Sequence, residues 1–245
     1  MEQYKSGSWT RIARIGSNST VTYRVEKLSP STKYNFRVKA FKLNGNSATY
    51  SSYKNISGIT NPATISGLKI GGHAADALRL NWTKNSKASG YIVEQYKGGK
   101  WTRIARIGEN STTTYRVEKL SASTTYKFRV QAFGFDGKTA LYGNYAYING
   151  KTSPATVTGI RIGGTAKDAL RVNWNRDSKA SGYIVQQYKN GTWVRIARIG
   201  NNNTTTYRVS GLKSGSTYIF RVQAFGYDGK TAIYGGFAMI PGTTK

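Results

Sequence analysis

The side chains that most often perform catalysis or bind metals are scarce in this sequence. Of the 245 residues, ten are Asp or Glu, one is a histidine, His73, and none is a cysteine. Nucleophilic catalysis needs a nucleophile, a base and a group that orients the base, and thiolate metal sites need cysteine. The acidic residues are scattered instead of being paired as glycoside hydrolysis requires. The sequence therefore predicts a protein that is not an enzyme and that uses no cofactor and no metal.

Aromatic residues form a second chemically distinctive group. Three Tyr–Trp pairs flank glycine-containing turns: Tyr4 and Trp9, Tyr96 and Trp101, and Tyr188 and Trp193. Exposed pairs of this kind can stack on sugar rings, so Tyr96, Trp101, Tyr188 and Trp193 are candidate carbohydrate-binding residues. The alternative is that these rings pack within the protein, as aromatic residues on half-buried strands usually do.

Basic residues form a third group. Lys and Arg number 37 against ten Asp and Glu, which gives a net charge of +27 that is spread along the whole chain. Strand alternation places arginines on the outside of two sheets. The candidates are Arg79, Arg116, Arg171 and Arg208 on one sheet, and Arg129 and Arg221 on the other.

These arginines predict salt-dependent binding of a polyanion, such as a cell-wall polymer, an acidic polysaccharide or nucleic acid. The alternative is that the charge only keeps the protein soluble. No helix is available to enter a groove and no nucleic-acid-binding motif is present, so sequence-specific recognition of nucleic acid is not expected.

A 92-residue repeat sets the positions of all these residues. Trp9, Trp101 and Trp193 lie 92 residues apart, and so do Trp82 and Trp174. Because repeats of fixed period correspond to structural units, we predict three domains, over residues 1–61, 62–153 and 154–245. The first is shorter than the other two.

The last repeat has the pattern of seven short β-strands and no helix. Residues 170–174 alternate apolar and polar side chains, and Asn190-Gly191 and Asp228-Gly229 are hairpin turns. We expect a first strand over Thr156–Ile162, ended by Gly163 and Gly164, and a last strand over Ala232–Ile240. The predicted fold class is all-β, with tandem immunoglobulin-like sandwiches of two sheets each.

These residues resemble the fibronectin type III family. The resemblance rests on Trp82 and Trp174 in the second strand, on Tyr-Ile-Val from Tyr91 and Tyr183 in the third, and on Phe-Arg-Val-Gln-Ala in the sixth. Leu120 and Leu212 each precede a tyrosine by six positions, which is similar to the tyrosine corner of the family. The resemblance implies the fold and leaves the function open, because this fold has many unrelated roles. The near-identical repeats look most like the arrays of bacterial surface and secreted proteins.

In the first repeat, the sequence lacks the first two strands of the sandwich. Met1 aligns with Val93, so the counterparts of the 31 residues from 62 to 92 are missing and one apolar face has no cover. Three explanations stay open: a boundary inside a longer array, completion by strands of another chain, or a dedicated partner.

Together these features predict a non-catalytic extracellular or cell-surface array that acts as a spacer or adhesive stalk. The alternatives are a polysaccharide- or polyanion-binding module, and a subunit that assembles through strand completion, with self-association through the first repeat. No apolar run is long enough to span a membrane, and the first residues do not have the pattern of a signal peptide.

Overall fold

Every regular element of the computed structural model, which describes all 245 residues, is a β-strand. The first repeat contains β1 (Glu2–Lys5), β2 (Ser8–Arg11), β3 (Lys33–Val38), β4 (Phe41–Asn44), β5 (Ser47–Tyr50) and β6 (Lys54–Ile59). The second contains β7 (Lys69–His73), β8 (Leu78–Asn81), β9 (Gly90–Lys97), β10 (Lys100–Ile107), β11 (Thr114–Val117), β12 (Thr125–Asp136), β13 (Thr139–Tyr142) and β14 (Ala146–Lys151). The third contains β15 (Arg161–Thr165), β16 (Ala169–Asn173), β17 (Gly182–Lys189), β18 (Thr192–Ile199), β19 (Thr206–Ser210), β20 (Thr217–Asp228), β21 (Thr231–Tyr234) and β22 (Ala238–Thr243).

The strands of each complete repeat form one sheet of three strands and one of five. In the third repeat the orders are β15-β16-β19 and β18-β17-β20-β21, with β22 also paired to β20. In the second they are β7-β8-β11 and β10-β9-β12-β13, with β14 also paired to β12. The first repeat has a four-stranded sheet, β2-β1-β3-β6, and the hairpin β4-β5. The predicted all-β fold class is therefore confirmed.

Contacts between residues group the chain into two compact units. One comprises residues 1–67, 83–113 and 129–147, and the other comprises 68–82, 114–128 and 148–245. The first unit holds the two sheets of the first repeat with β9, β10 and β13, and the second holds β7, β8 and β11 with the whole third repeat. The repeat boundaries after residues 61 and 153 stay a prediction.

The core of the third repeat lies between its two sheets. Leu170 and Val172 on β16 and Trp174 directly after it are buried, as the alternation in the sequence predicts, and Tyr183 and Phe220 face them from the other sheet. The Trp174 and Tyr183 rings meet edge to face, with centroids 5.2 Å apart. These inward side chains bury the apolar surface that holds the two sheets together.

Two predicted strand limits are wrong, for reasons that involve glycine. The first strand covers Arg161–Thr165 instead of Thr156–Ile162, and Gly163 lies inside it at a β-bulge, where a Cβ atom would clash with the Asn173 side-chain amide. The predicted last strand is split into β21 and β22, because the chain at Ala155 passes close to Gly235, where a Cβ would lie 2.6 Å from the Ala155 oxygen.

The first repeat lacks counterparts of β7 and β8, and its sheet is open on one face. Phe36 and Val38 correspond to Phe128 and Val130, which are completely buried, yet Val38 is 49% exposed. Residues 22–25, which correspond to β11, form no strand, because β11 pairs with β8 and that partner is missing here. The absence of the first two strands, which the sequence predicts, is therefore accompanied by the absence of a third strand, the counterpart of β11.

Candidate functional site

An arginine between two aromatic rings occupies the outer face of the larger sheet. In the second repeat the Arg129 guanidinium carbon lies 4.5 Å from the centre of the Trp101 ring and 3.8 Å from that of Tyr145. Its Nε donates a hydrogen bond of 2.7 Å to the Glu94 carboxylate. The Tyr145 hydroxyl donates to the same carboxylate, at 3.2 Å, and accepts from Gln131. We call this arrangement the arginine sandwich.

All three repeats contain the arginine sandwich. In the first, Arg37 lies between Trp9 and Tyr53, at 4.4 and 3.9 Å from the ring centres, and is paired with Glu2. In the third, Arg221 lies between Trp193 and Phe237, at 4.2 and 3.7 Å, and donates to Gln186. Cation–π contacts between partly covered groups are each worth about 0.5–2 kcal/mol. Sequence reasoning missed the arrangement, although all four positions recur at the 92-residue spacing.

Hydrogen bonds, neighbouring charges and burial shift the pKa values of groups in the arginine sandwiches. Hydrogen bonding from Arg37 holds the pKa of Glu2 below its ordinary value. Burial acts to lower the pKa of Arg129, but its hydrogen bonds with Glu94 and Tyr147, together with the electrostatic effects of Glu94 and Tyr145, raise the pKa above its ordinary value. Burial lowers the pKa of Arg221, whose hydrogen-bond partner is the neutral Gln186. The third repeat therefore holds its cation without the carboxylate that the other two provide.

Arg129 and Arg221 were expected to lie outward, and they do lie on the outer face of the sheet. Both are nevertheless half-buried, because the aromatic rings cover them, and the neighbouring Gln131 and Gln223 are buried. This sheet therefore does not present a free row of cations. A role of the two arginines in ligand binding stays a prediction.

The Tyr–Trp pairs lie next to the arginine sandwiches. The Tyr96 and Trp101 rings are 5.3 Å apart and inclined by 62°, and those of Tyr188 and Trp193 are 5.2 Å apart and inclined by 57°. The rings are therefore strongly inclined to each other and do not form a flat platform. Tyr96 and Tyr188 are each about two-fifths exposed, at 41% and 43%, and stay candidates for contact with a sugar.

The smaller sheets place their arginines outward and directly opposite one another. Arg79 pairs with Arg116 across β8 and β11, and Arg171 pairs with Arg208 across β16 and β19. All four are exposed. Arg116 is 2.9 Å from Glu118, and Ser210 occupies the position that corresponds to Glu118 in the third repeat. Arg171 and Arg208 therefore form the pair with less neutralising charge.

The two Asp-Gly turns contact the repeat that precedes them. The Asp136 carboxylate accepts a hydrogen bond of 3.1 Å from the backbone N–H of Ile59, and the Asp228 carboxylate accepts one of 3.1 Å from Lys151. The single histidine, His73, lies with its Nδ1 2.9 Å from the Lys151 carbonyl oxygen and 3.8 Å from Asp228. In the sequence, a tight turn was enough to explain each Asp-Gly pair. The hydrogen bond of its aspartate to the preceding repeat was therefore not predicted.

The geometry defines a class of protein: a tandem array of immunoglobulin-like β-sandwiches with tyrosine corners. In each repeat a tyrosine hydroxyl accepts a hydrogen bond of 2.7–2.8 Å from a backbone N–H five residues earlier; the three tyrosines are Tyr34, Tyr126 and Tyr218. The family model described as "Fibronectin type III domain" matches residues 62–142 and 154–233. The chain belongs to the fibronectin type III family, whose domains are typically structural and non-catalytic.

Curated relatives match most of the chain. It is 30% identical over 220 residues to the receptor-type tyrosine-protein phosphatase eta of Mus musculus, covering 85% of this chain and 16% of the relative. It is 21% identical over 227 residues to Exoglucanase B of Cellulomonas fimi, covering 86% of this chain and 20% of the relative. The chain thus spans about a fifth or less of the length of these relatives, which are mostly extracellular or cell-surface proteins.

Solved structures to which the chain is similar include the FN1–FN3 domains of chicken CNTN1. The identity is 21%, the TM-score is 0.45, and the match covers 89% of this chain and 80% of the other. A two-domain fibronectin type III segment of chicken tenascin has 18% identity and a TM-score of 0.41, covering 74% and 99% of the two chains. The structure contains no helix that is long and apolar enough to cross a membrane, and no cluster of three or more His, Cys, Asp or Glu arranged to hold a metal ion.

Proposed function

We propose that these repeats act as a non-catalytic spacer or adhesive stalk of an extracellular or cell-surface protein. The observation that supports this most strongly is the hydrogen bond between Asp136 and Ile59, which recurs between Asp228 and Lys151. A spacer must hold its neighbours at a defined separation, and a bond from a backbone N–H to a carboxylate restricts the joint between two repeats.

The family relationship supports the same function. The relatives are several times longer than this chain, so in them the matching repeats accompany other regions. The stiffness of a repeat array that lies between other domains determines how far apart those domains are and how much they move relative to each other.

The experiment measures how much the separation between two repeats varies. The chain has no cysteine, so Lys5→Cys and Lys189→Cys, at equivalent exposed hairpins, admit a pair of fluorophores for single-molecule energy transfer. We expect a narrow distribution that becomes broader when Asp136→Ala and Asp228→Ala are combined, while Asp76→Ala leaves it unchanged. An unsubstituted chain with a distribution as broad as that of the combined variant would overturn the proposal.

A second candidate function is binding of an anionic polymer through the exposed arginine pairs. Like charges directly opposite each other destabilise a sheet by a few tenths of a kcal/mol up to about 1 kcal/mol. Both complete repeats nevertheless place two arginines in this relation, at Arg79 and Arg116 and at Arg171 and Arg208. A bound polyanion offsets this repulsion, and the release of its counterions makes the binding salt-dependent.

Retention on an anionic polysaccharide column over a salt series tests this candidate. Replacing Arg171 and Arg208 by Gln should lower the salt concentration at which the chain elutes, and should do so by more than Lys189→Gln together with Lys97→Gln. The lysine variant removes the same charge from exposed hairpins outside this face. Equal shifts for the two variants would show that only the net charge matters.

A further inference from the structure

The outer face of the first repeat contains a groove whose lining differs from the equivalent surface of the other repeats. The groove has a volume of about 380 Å³, near the lower end of the roughly 300–1,000 Å³ of ligand pockets. Its lining comprises Tyr4 and Trp9 on one side and Asn35, Asn55 and Ser57 along β3 and β6. Phe36 and Ile56 also border it, but their side chains alternate onto the opposite face of the sheet. The Asn35 side chain lies on the opposite face of the sheet from the uncovered Val38, because successive side chains of a strand alternate between its faces.

The polar groups of this groove are free to bind a ligand. Asn35, Asn55 and Ser57 are exposed, and their side chains make no hydrogen bond to another group of the chain. Two amides and one hydroxyl provide both donors and acceptors within one surface. Across from them, the Tyr4 and Trp9 rings lie 5.3 Å apart, and Tyr4 is 44% exposed.

The second repeat fills the same place with an aromatic ring. Asn55 corresponds to Tyr147 in the second repeat and to Met239 in the third. The Tyr147 ring lies 5.7 Å from that of Trp101, which occupies the position of Trp9. The short Asn55 side chain therefore leaves open in the first repeat the space that an aromatic ring takes in the second.

The other two polar positions of the groove also differ between repeats. Asn35 corresponds to Lys127 and Ile219, and Ser57 corresponds to Asn149 and Pro241. The second repeat thus keeps a polar side chain at the position of Ser57, but it has a cation at the position of Asn35. The third repeat has apolar side chains at all three positions. Only the first repeat combines three short, uncharged polar side chains with the Tyr–Trp pair.

The chemistry of the lining selects an uncharged ligand with an apolar face and several hydroxyl groups. No carboxylate, lysine or arginine lines the groove. Arg37, which lies on the same face of β3 as Asn35, is paired with Glu2 and covered by Trp9 and Tyr53. Aromatic rings provide apolar contact for the C–H face of a sugar, and the amides and the hydroxyl are suited to hydrogen bonds with its hydroxyl groups.

We infer that this groove is a binding site for a neutral saccharide of one or two rings. Tyr4 and Trp9 contact the apolar face of the sugar ring, and Asn35, Asn55 and Ser57 bind its hydroxyl groups. The inference goes beyond the spacer function and does not depend on it, because the site lies within the first repeat. It also differs from the polyanion candidate, because binding without ionic contacts does not weaken as salt increases.

Titration of the full chain with neutral oligosaccharides tests the inference. The probes are short glucose, xylose, mannose and N-acetylglucosamine oligomers, and the signal is the NMR shift of the Asn35 and Asn55 side-chain amides. We expect at least one sugar to shift these amides, with a Kd that stays constant as salt rises from about 50 to about 200 mM.

Two substitutions and one matched control make the test specific. Asn55→Tyr reproduces the residue of the second repeat at an exposed position and should weaken binding about tenfold or more, which corresponds to about 1.4 kcal/mol. Trp9→Ala should do the same, while Trp193→Ala in the third repeat should leave the affinity unchanged. An Asn55→Tyr chain that binds as tightly as the unsubstituted one would overturn the inference, even if Trp9→Ala failed to fold.

Other outcomes also contradict the proposal. If no sugar shifts the Asn35 and Asn55 amides, or if a peptide library shifts them and sugars do not, the groove is not a saccharide site. Binding that disappears with salt would assign the interaction to the arginine pairs. None of these results would affect the energy-transfer test of the spacer function.

Discussion

We predict that the free energy of unfolding of the third repeat depends on the hydrogen-bond acceptor in its arginine sandwich, which differs from the acceptor in the other two repeats. Arg129 donates to the carboxylate of Glu94, whereas Arg221 donates to the neutral amide oxygen of Gln186 at 2.6 Å. The perturbation is Gln186→Glu, which gives the third repeat the same acceptor as the other two. The reciprocal change is Glu94→Gln.

The magnitude follows from the type of hydrogen bond and the burial. A bond to a charged group contributes about 1.5–3 kcal/mol, and a neutral one about 0.5–1.5 kcal/mol. The Glu94 side chain is 13% exposed, so part of the gain is offset by removing a carboxylate from water. We expect Gln186→Glu to stabilise the third repeat by about 1 kcal/mol, and Glu94→Gln to destabilise the second by about the same amount.

The assay is native-state hydrogen exchange, because it reports on each repeat separately. Amides of β20 should exchange about fivefold more slowly in Gln186→Glu, since about 1.4 kcal/mol corresponds to a factor of ten. Arg221→Met provides the control in a double-mutant cycle, because the gain should disappear when the cation is absent. Unchanged or faster exchange in Gln186→Glu, or a gain that persists with Arg221→Met, would show that a charged acceptor for Arg221 does not stabilise the third repeat.

Three further predictions concern pH, charge and self-association. Burial and a neighbouring carboxylate raise the pKa of Tyr145 above its ordinary value of 10.0, so the protonated form is favoured in the folded state. This stability is present below pH 10 and is lost as the pH rises through the folded-state pKa; Tyr145→Phe should abolish the loss in an alkaline unfolding titration. Arg171→Glu should stabilise the third repeat by up to about 1 kcal/mol in thermal unfolding, because it faces Arg208, and should also weaken retention on an anionic polymer. The open sheet of the first repeat, where Ile56 is 64% exposed, should cause concentration-dependent association in sedimentation velocity, and Ile56→Lys should reduce it.

Much of the fold could be predicted because it depends on local patterns and on the repeat. The alternation of Leu170, Val172 and Trp174 indicated which side chains are buried, and Asn190-Gly191 indicated a hairpin that the structure contains, with both residues at positive φ. The limits of the first strand could not be predicted, because Gly163 lies in a β-bulge instead of ending the strand. A bulge is set by the packing of the partner strand and not by the glycine alone.

The candidate site was less predictable because its members come from distant parts of the chain. Arg129 and Tyr145 are adjacent only after β12 and β14 have paired, and strand alternation says which face a residue occupies but not what covers it. The outward positions of Arg171 and Arg208 were predicted correctly, because they depend only on which face of the sheet each residue occupies. The bond between Asp136 and Ile59 spans 77 residues and has no local signal.

We propose that the aspartates of the Asp-Gly turns hold neighbouring repeats together. Amide hydrogen exchange of Ile59 and Lys151 tests it most directly, because their N–H groups donate to Asp136 and Asp228. We predict that both amides are protected, and that Asp136→Ala accelerates exchange of Ile59 alone by about tenfold or more, as the loss of a hydrogen bond to a charged group implies. Asp228→Ala should do the same for Lys151 alone. If both amides exchange as fast as exposed backbone and neither substitution changes their rates, the repeats are not joined in this way.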